Sequence, residues 1–444
     1  MTLGPKDDLM ASTPSTDGCP DGCADHERAQ TSRRGLLRGL AAGGTTMAFG
    51  STMVTMSSAA SGAMSGAATG SRTAPPPASS VLVVLSLRGA ADGLSLVVPH
   101  GDPAYYAARP SIAVPREALL APDEYFGLHP ALQPLLPLWT AGRLAAVNAT
   151  GLPVANRSHF AAMEAVEEAA PGSATRSGWL NRLVGSGSTR NTLEAVALGG
   201  SIPTALAGPE PVMAMSSIKA AGLSGVSNLN DPNDPRMRAL RIQWAQATGE
   251  IGEGFRAAMD AVVDLGPAKA ATDNTASYPN TSLGRTMSSV ARTLRGDVGV
   301  SVVTVDSGNW DMHVGLGSAT SGWMVNNAKD LAGSIAAFFA DLGSVADKVT
   351  LVTISEFGRR VQENGTKGLD HGWGNVMFVA GAGVKGGRYY GTWPGLANTL
   401  DADLRVTTDY RSVLAEIVTT RTSASAATVF PGFAPESVGV MTSL

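Results

Sequence analysis

The chain predicts an α/β fold: a doubly wound, mostly parallel sheet flanked by helices. Three observations carry that expectation. Short apolar, β-branched runs recur at 81–87, 144–147, 195–198, 300–305, 349–354 and 376–380, as strands buried on both faces of a parallel sheet do. Glycines or polar residues follow each run, and amphipathic helical patterns fill the intervals, giving the alternating rhythm of a doubly wound sheet. No fixed-period repeat is present, which disfavours solenoids and propellers.

The N-terminal stretch reads as an address. Arg33 and Arg34, within Ser-Arg-Arg-Gly-Leu-Leu-Arg, are followed by a weakly apolar Gly, Ala, Thr and Met segment that carries no charge between Arg38 and Arg72. This is the pattern of a removable twin-arginine export signal over 1–64, cleaved among the small residues 59–68. Residues 65–80, with Pro75, Pro76 and Pro77, read as a stiff linker. The expectation is passage through the twin-arginine export machinery to the periplasm or beyond, with 81–444 as the functional domain. That route carries proteins already folded, which favours a metal or other prosthetic group acquired before export.

Both cysteines, Cys19 and Cys23, lie in the polar tail ahead of Arg33 and Arg34, so a processed chain holds no disulfide and no cysteine nucleophile. The group Cys19, Cys23 and His26 lies in a polar tail and is not taken as a metal site. A net charge of -4 with 16% charged residues supplies no basic stripe for nucleic acid. No later apolar run reaches the roughly 20 residues of a membrane span, so no permanent span is expected. About 370 residues remain after the leader, enough for one large α/β domain.

Taken in order, 81–87 is a buried strand whose following loop, opening at Arg88 and Gly89, is a place for functional residues. The turn cluster 224–235 precedes a long helical face formed by Met237, Leu240, Trp244, Ala247, Ile251, Phe255, Ala258 and Val262, a core-facing spacing. Leu283, Met287, Val290 and Leu294 repeat it, as does 331–342. The polar stretch 266–279, with two prolines, reads as a mobile surface loop or an insertion boundary.

Apart from His26 the chain has five histidines: His100, His129, His159, His313 and His371. Three stand in polar strings with carboxylates or arginines: Asn156-Arg157-Ser158-His159-Phe160, the segment from Asp306 through Asp311 to His313, and Ser355-Glu356-Phe357-Gly358-Arg359 followed by Asp370-His371-Gly372-Trp373. Asp92 follows the first strand. Ligands gather at the carboxyl ends of strands in such sheets, so these distant segments are expected to converge. Carboxylates and imidazoles brought together suit a divalent metal able to activate a hydroxyl and neutralise an ester's oxygens. The candidate ligands are Asp92, Asp306, Asp311, His313, Glu356 and His371. Each also has a plainer reading: Asp92-Gly93 as an Asx turn, Glu356 as a cap or a partner of Arg359, His371 as a structural histidine.

The strings RGAADGLSLVVPHGDPAYYAARPSIAVP (88–115), NRSHF, NWDMH, the block 355–396 and TTDYRSVL (407–414) resemble an uncharacterised family of exported bacterial proteins, the domain of unknown function fifteen-oh-one. The resemblance spans essentially the whole chain after the leader. It implies a core related to the alkaline phosphatase and sulfatase superfamily. By that resemblance Asp92 corresponds to a first metal ligand and Ser158 to the nucleophile. Asp311 and His313 correspond to the next ligand motif, with a shorter spacing, and His371 to the last histidine ligand. Phe357 stands where the superfamily has a histidine and offers no lone pair, so a two-zinc centre is not implied. Asp370, Glu356 and Asp306 would make a more oxygen-rich site, suited to manganese, magnesium or calcium; one retained metal, or none, is equally admissible.

Two functions follow from this reading. One is a metal-dependent hydrolase of phosphate or sulfate esters, with Ser158 attacking and Arg157 or Arg359 holding a small anionic ester. The other is a non-catalytic extracytoplasmic binding protein on the same scaffold, with Tyr105, Tyr106, Tyr389, Tyr390 and Trp393 facing an envelope glycan. Ser158 also reads as a helix N-cap.

Overall fold

The computed structural model describes residues 44–49, 52–57, 75–170, 176–187, 191–223, 225–226, 231 and 233–442. Arg33, Arg34, Cys19, Cys23, His26 and the cleavage region 59–68 lie outside the described residues, as does the linker before Pro75.

An 11-stranded sheet organises the chain. Its strands are β1 (Gly44–Phe49), β2 (Thr52–Ser57), β3 (Val81–Leu87), β6 (Leu144–Gly151), β7 (Ala195–Leu198), β8 (Val212–Met215), β9 (Val302–Ser307), β10 (Val349–Ile354), β11 (Asn375–Gly381), β12 (Tyr389–Tyr390) and β13 (Thr408–Asp409). Two short strands, β4 (Val97–Val98) and β5 (Gly127–Leu128), pair apart from it. The order is β1-β2-β8-β7-β9-β3-β10-β11-β6-β12, with β13 also on β6. The block β8-β7-β9-β3-β10 is parallel throughout, and β11 runs antiparallel between β10 and β6.

All seven residues of β3 are buried, and their alternation sends side chains to two cores. Val81, Val83, Leu85 and Leu87 join the helices Gly249–Asp264, Ser282–Arg295 and Trp323–Leu342. Leu82 and Val84 join His159–Glu168, Trp179–Val184 and Tyr410–Arg421 on the other face. Each such Val or Leu stabilises the fold by about 1.5–3 kcal/mol relative to exposure. The result is a mixed α/β molecule with a large, mostly parallel sheet between helical layers.

The expected runs appear as strands, three of them at their expected bounds: 81–87, 195–198 and 349–354. The expected helical face 237–262 is two helices, Pro235–Ala245 and Gly249–Asp264. Gly249 has φ +77°, outside the right-handed helical region, and Trp244 stacks on Phe255 across the break at 4.0 Å. Stretch 266–279 is not a loose loop. It holds the helix Gly266–Ala270 and a 3-10 turn Thr275–Ser277, with Ala268 fully buried and the Tyr278 hydroxyl donating to Asp341 at 2.8 Å. Pro267 sits in a helix first turn, where its missing N–H is harmless. Within the stretch read as leader, β1 and β2 form an antiparallel hairpin that extends the sheet past β8, with Thr52 opposite Met215. Among the described residues no helix is long and apolar enough to cross a membrane.

The carboxyl ends of β3, β6, β9 and β10 and the amino end of the antiparallel β11 all face one edge. Ile354 pairs with Ser86, Ser86 with Asp306, and Asn375 with Thr150. The chain after Leu87, Gly151, Ser307 and Ile354, and before Asn375, must therefore meet there.

Candidate functional site

Gly89 is the pivot of these loops. Its φ is +105°, and a Cβ there would lie 2.6 Å from the backbone nitrogen of Asp311, so only glycine permits the approach. Its N–H donates to Glu356 Oε1 at 2.8 Å. Arg359 is 2% exposed and ties the segments together. It donates to the carbonyls of Ala90 at 2.7 Å, Gly89 at 2.5 Å and Leu369 at 2.9 Å, and to Asp311 Oδ1 at 2.5 Å. The excursion from β10 to β11 closes on itself through Gly358 N–H to the Trp373 carbonyl and Gly372 N–H to the Gly358 carbonyl, each 2.8 Å.

Three imidazoles and one carboxylate converge. His371 Nε2 lies 3.0 Å from His159 Nε2 and 2.9 Å from His313 Nε2. Asp311 oxygens lie 3.5, 3.0 and 3.5 Å from Nε2 of His159, His313 and His371. His159, Asp311 and His371 each offer a ligand atom within 4.8 Å of the others. Donors about 2.0–2.1 Å from a tetrahedral metal stand roughly 3.3 Å apart, close to these separations.

The opposite nitrogen of each ring is anchored. His159 Nδ1 contacts Glu356 Oε1 at 2.9 Å, His313 Nδ1 contacts Asp370 Oδ1 at 3.2 Å, and His371 Nδ1 contacts the Arg157 carbonyl at 2.9 Å. A carbonyl only accepts, so His371 Nδ1 carries the proton, and in the neutral ring its Nε2 presents a lone pair. Ionised Glu356 and Asp370 impose the same arrangement on their partners. An outer shell of carboxylates and carbonyls that fixes ring orientation is characteristic of metal-binding histidines. Phe357 packs on His159 and His371 at 4.9 and 5.0 Å between ring centres. It provides an apolar wall against both rings.

Burial opposes charge at Asp311, yet hydrogen bonds from His159, His313, His371 and Arg359 hold its carboxyl far below the usual range. Burial also opposes charge at His159, and its hydrogen bonds to Asp311 and Glu356 raise it to about 9. Glu356, despite burial, is lowered by His159 and the Gly89 N–H. Asp370 is lowered by Asn364 and His313 against a desolvation that raises it.

Of the residues singled out in the sequence, Asp311, His313, Glu356, Arg359, Asp370 and His371 meet here. Asp92 does not. It caps the helix Gly93–Leu96 through Ser95 N–H and takes a two-pronged pair from Arg109 at 2.6 and 3.0 Å, so its lone pairs are committed and the Asx-turn reading describes it. Asp306 is half exposed and pairs with Arg88 at 3.0 Å. Ser158 is exposed at the N-cap position of His159–Glu168 and makes no side-chain capping bond. The Arg157 guanidinium pairs with Asp403, and only its carbonyl touches the centre. Arg359 spends its donors on backbone carbonyls and Asp311, with Nη1 also 3.5 Å from His313 Nε2, and so positions the site. His159, one residue after Ser158, joins the centre without being among the expected ligands.

The remaining histidines and aromatics lie elsewhere. His129 is buried, accepts from Ala131 N–H at 3.0 Å, and is pushed down to about 4 by burial. Tyr105 is fully buried. Trp393 packs edge-on against Phe126 at 5.2 Å, and Tyr389 lies 4.7 Å from Trp139, so these faces serve packing. A cavity of about 640 Å³ opens at the other end of the strands, lined by Leu82, Glu194 and Val302 among others, away from the histidines.

A comparison with curated proteins finds no match. The family model described as a protein of unknown function, DUF1501, matches residues 126–417, a span running from just before β5 into the helix Tyr410–Arg421 that contains His159, Asp311, His313, Glu356, Arg359, Asp370 and His371 but not Gly89, and the chain belongs to that family.

Proposed function

We propose that this chain is a metal-dependent hydrolase of phosphate or sulfate esters, built on an alkaline-phosphatase-like core and exported to the periplasm or beyond. The observation that carries the reading is the convergence of three Nε2 atoms on Asp311 while every Nδ1 is anchored to an acceptor. His159, His371 and Asp311, whose ligand atoms all lie within 4.8 Å of one another, would hold the ion and leave a tetrahedral ion one position open for a substrate or water oxygen. This imidazole-rich set suits zinc better than magnesium or calcium, because Asp306 lies apart and Glu356 and Asp370 serve as outer partners. A bound zinc supplies Lewis acidity and lowers the pKa of a coordinated oxygen.

The chain's own residues do the rest. Glu356 and Asp370 fix the tautomers of His159 and His313. Arg359 fixes Asp311. Ser158, exposed beside His159, is the candidate nucleophile, its alternative being water. A bond from the Ser158 oxygen, or from water, to phosphorus or sulfur would form as the bond to the leaving alcohol breaks; the nucleophile's proton ends on that alcohol, and where Ser158 attacks, water then hydrolyses the seryl ester.

The test is elemental analysis of protein folded in its native host, with turnover of aryl phosphate, phosphodiester and sulfate esters. One zinc per chain and turnover lost in His371→Ala support the reading. A metal-free protein, or turnover unchanged in His159→Ala and His371→Ala, rejects it.

A further inference from the structure

The three imidazoles of the centre are not held alike. His371 Nδ1 meets a backbone carbonyl, that of Arg157. His159 Nδ1 meets Glu356, whose side chain is 2% exposed and accepts from the Gly89 N–H. Asp370, the partner of His313, has a side chain 59% exposed. A carboxylate so open to water holds a partner weakly, because solvent screens its charge and side-chain entropy opposes a fixed geometry. A further group must fix it if the His313 ring is to stay in place.

Asn364 is that group. Its Nδ2 donates to Asp370 Oδ1 at 3.0 Å and to the His313 backbone carbonyl at 2.9 Å. Asp370 Oδ1 is also the oxygen that His313 Nδ1 contacts, so one amide holds both the backbone of the histidine and the acceptor of its ring. The other end of the amide is committed too. Asn364 Oδ1 accepts from the N–H groups of Thr366 and Gly368, each at 3.0 Å, and from the Thr366 hydroxyl at 2.8 Å. An oxygen facing two backbone donors and a nitrogen facing a carbonyl and a carboxylate admit only this orientation of the amide.

The surrounding loop is laced to the segment that carries His313. Leu369 N–H donates to the Met312 carbonyl at 3.0 Å, Gly315 N–H to the Thr366 carbonyl at 3.0 Å and Leu316 N–H to the Lys367 carbonyl at 2.8 Å. A Cβ at Gly368 would meet the His313 carbonyl, so the close approach depends on glycine there.

We propose that Asn364 is the positioning residue of His313, acting on its backbone directly and on its ring through Asp370. It keeps His313 Nε2 beside Asp311 and His371, at 3.0 and 2.9 Å, and contributes no ligand atom itself. The placement of the ring depends on no reaction; the effect on turnover rests on the hydrolase reading.

Asn364→Asp is the discriminating variant. It has the same shape and keeps an oxygen for Thr366 and Gly368, but it loses both donors and sets a carboxylate beside Asp370. In the uniformly 15N-labelled full chain, both Asn364 side-chain amide protons of the wild type exchange slowly with water. In the variant the His313 ring signals move and broaden, those of His129 stay in place, and the Thr366 and Gly368 N–H groups keep their protection. Zinc content is unchanged, because the ion is assigned to His159, Asp311 and His371. For the aryl ester that the wild type turns over, kcat falls about 10–100-fold, the usual cost of losing an outer partner, while KM is unchanged. Thr366→Val removes a hydroxyl from the same network but leaves both Nδ2 donors, and keeps the ring signals and kcat of the wild type. Identical His313 ring signals in Asn364→Asp and wild type, rapid exchange of both wild-type Asn364 amide protons, or an unchanged kcat overturns the inference. A wild-type chain that turns over no ester overturns the hydrolase reading alone and leaves the ring signals to decide.

Discussion

The Nε2 atoms of His159 and His371 lie 3.0 Å apart while their Nδ1 atoms point away, to Glu356 and to the Arg157 carbonyl. Two imidazole lone pairs at that distance repel unless a cation lies between them, whether a proton or a metal. Removing either ring should therefore abolish stoichiometric metal. Glu356→Gln, which weakens only the outer anchor, should reduce affinity about 10–100-fold. Zinc titration against a competing chelator measures both, and full zinc retention in His159→Ala would contradict the assignment.

Metal affinity should climb with pH. In the metal-free protein His159 is raised to about 9 by Asp311 and Glu356 against the opposing effect of burial, so below that pH the ion competes with a proton. Apparent affinity should fall about tenfold per pH unit from pH 9 downward. Glu356→Gln should move the bend to lower pH. A flat profile between pH 7 and about 9 would remove the proton from this account.

Asp92 and Arg109 form a buried pair, with side chains 2 and 0% exposed. Arg109→Ala leaves a carboxylate uncompensated in the core, and should destabilise the protein by about 3–5 kcal/mol. Thermal denaturation reads this directly. Zinc content of the folded fraction should not change, because Asp92 stands outside the centre.

His129 gives the fold an acid limit. Its native pKa is pushed down to about 4 by burial, below the ordinary 6.5, so the unfolded chain binds the proton first. Stability is full above about pH 6.5 and declines as the pH falls toward 4, by up to about 3 kcal/mol. His129→Asn keeps an acceptor for the Ala131 N–H, and should flatten that limb when unfolding is compared with wild type at matched metal content.

Gly89→Ala tests the pivot. A methyl group there meets the Asp311 backbone at 2.6 Å in a left-handed conformation, so Asp311 must shift. A loss of about 1–3 kcal/mol in stability should accompany weaker zinc binding. Wild-type behaviour in both would show that the loop relaxes freely.

The sheet was legible because its central strands are uninterrupted apolar runs: Val-Leu-Val-Val-Leu-Ser-Leu in β3 is buried along its whole length. The edge was not. β8, Val-Met-Ala-Met, is four residues long, and β2, Thr-Met-Val-Thr-Met-Ser, alternates too weakly to stand out from a leader-like composition. At the centre, Asp311, His313 and His371 were readable from histidines and carboxylates placed after strands. Asp92 and Asp306 follow strands just as closely, yet their lone pairs go to Arg109 and Arg88, and no local pattern announces a partner far along the chain. His159 was hidden by the serine before it.

His159 and His371 stand 212 positions apart in the chain, and the Arg157 carbonyl reaches His371 across 214. No partial product of synthesis that ends before the second histidine can bring the two rings together. Contacts of such separation form late in folding, so if these side chains hold an ion as proposed, its capture would be among the last events in the maturation of this molecule, and an ion held earlier would be held by other ligands.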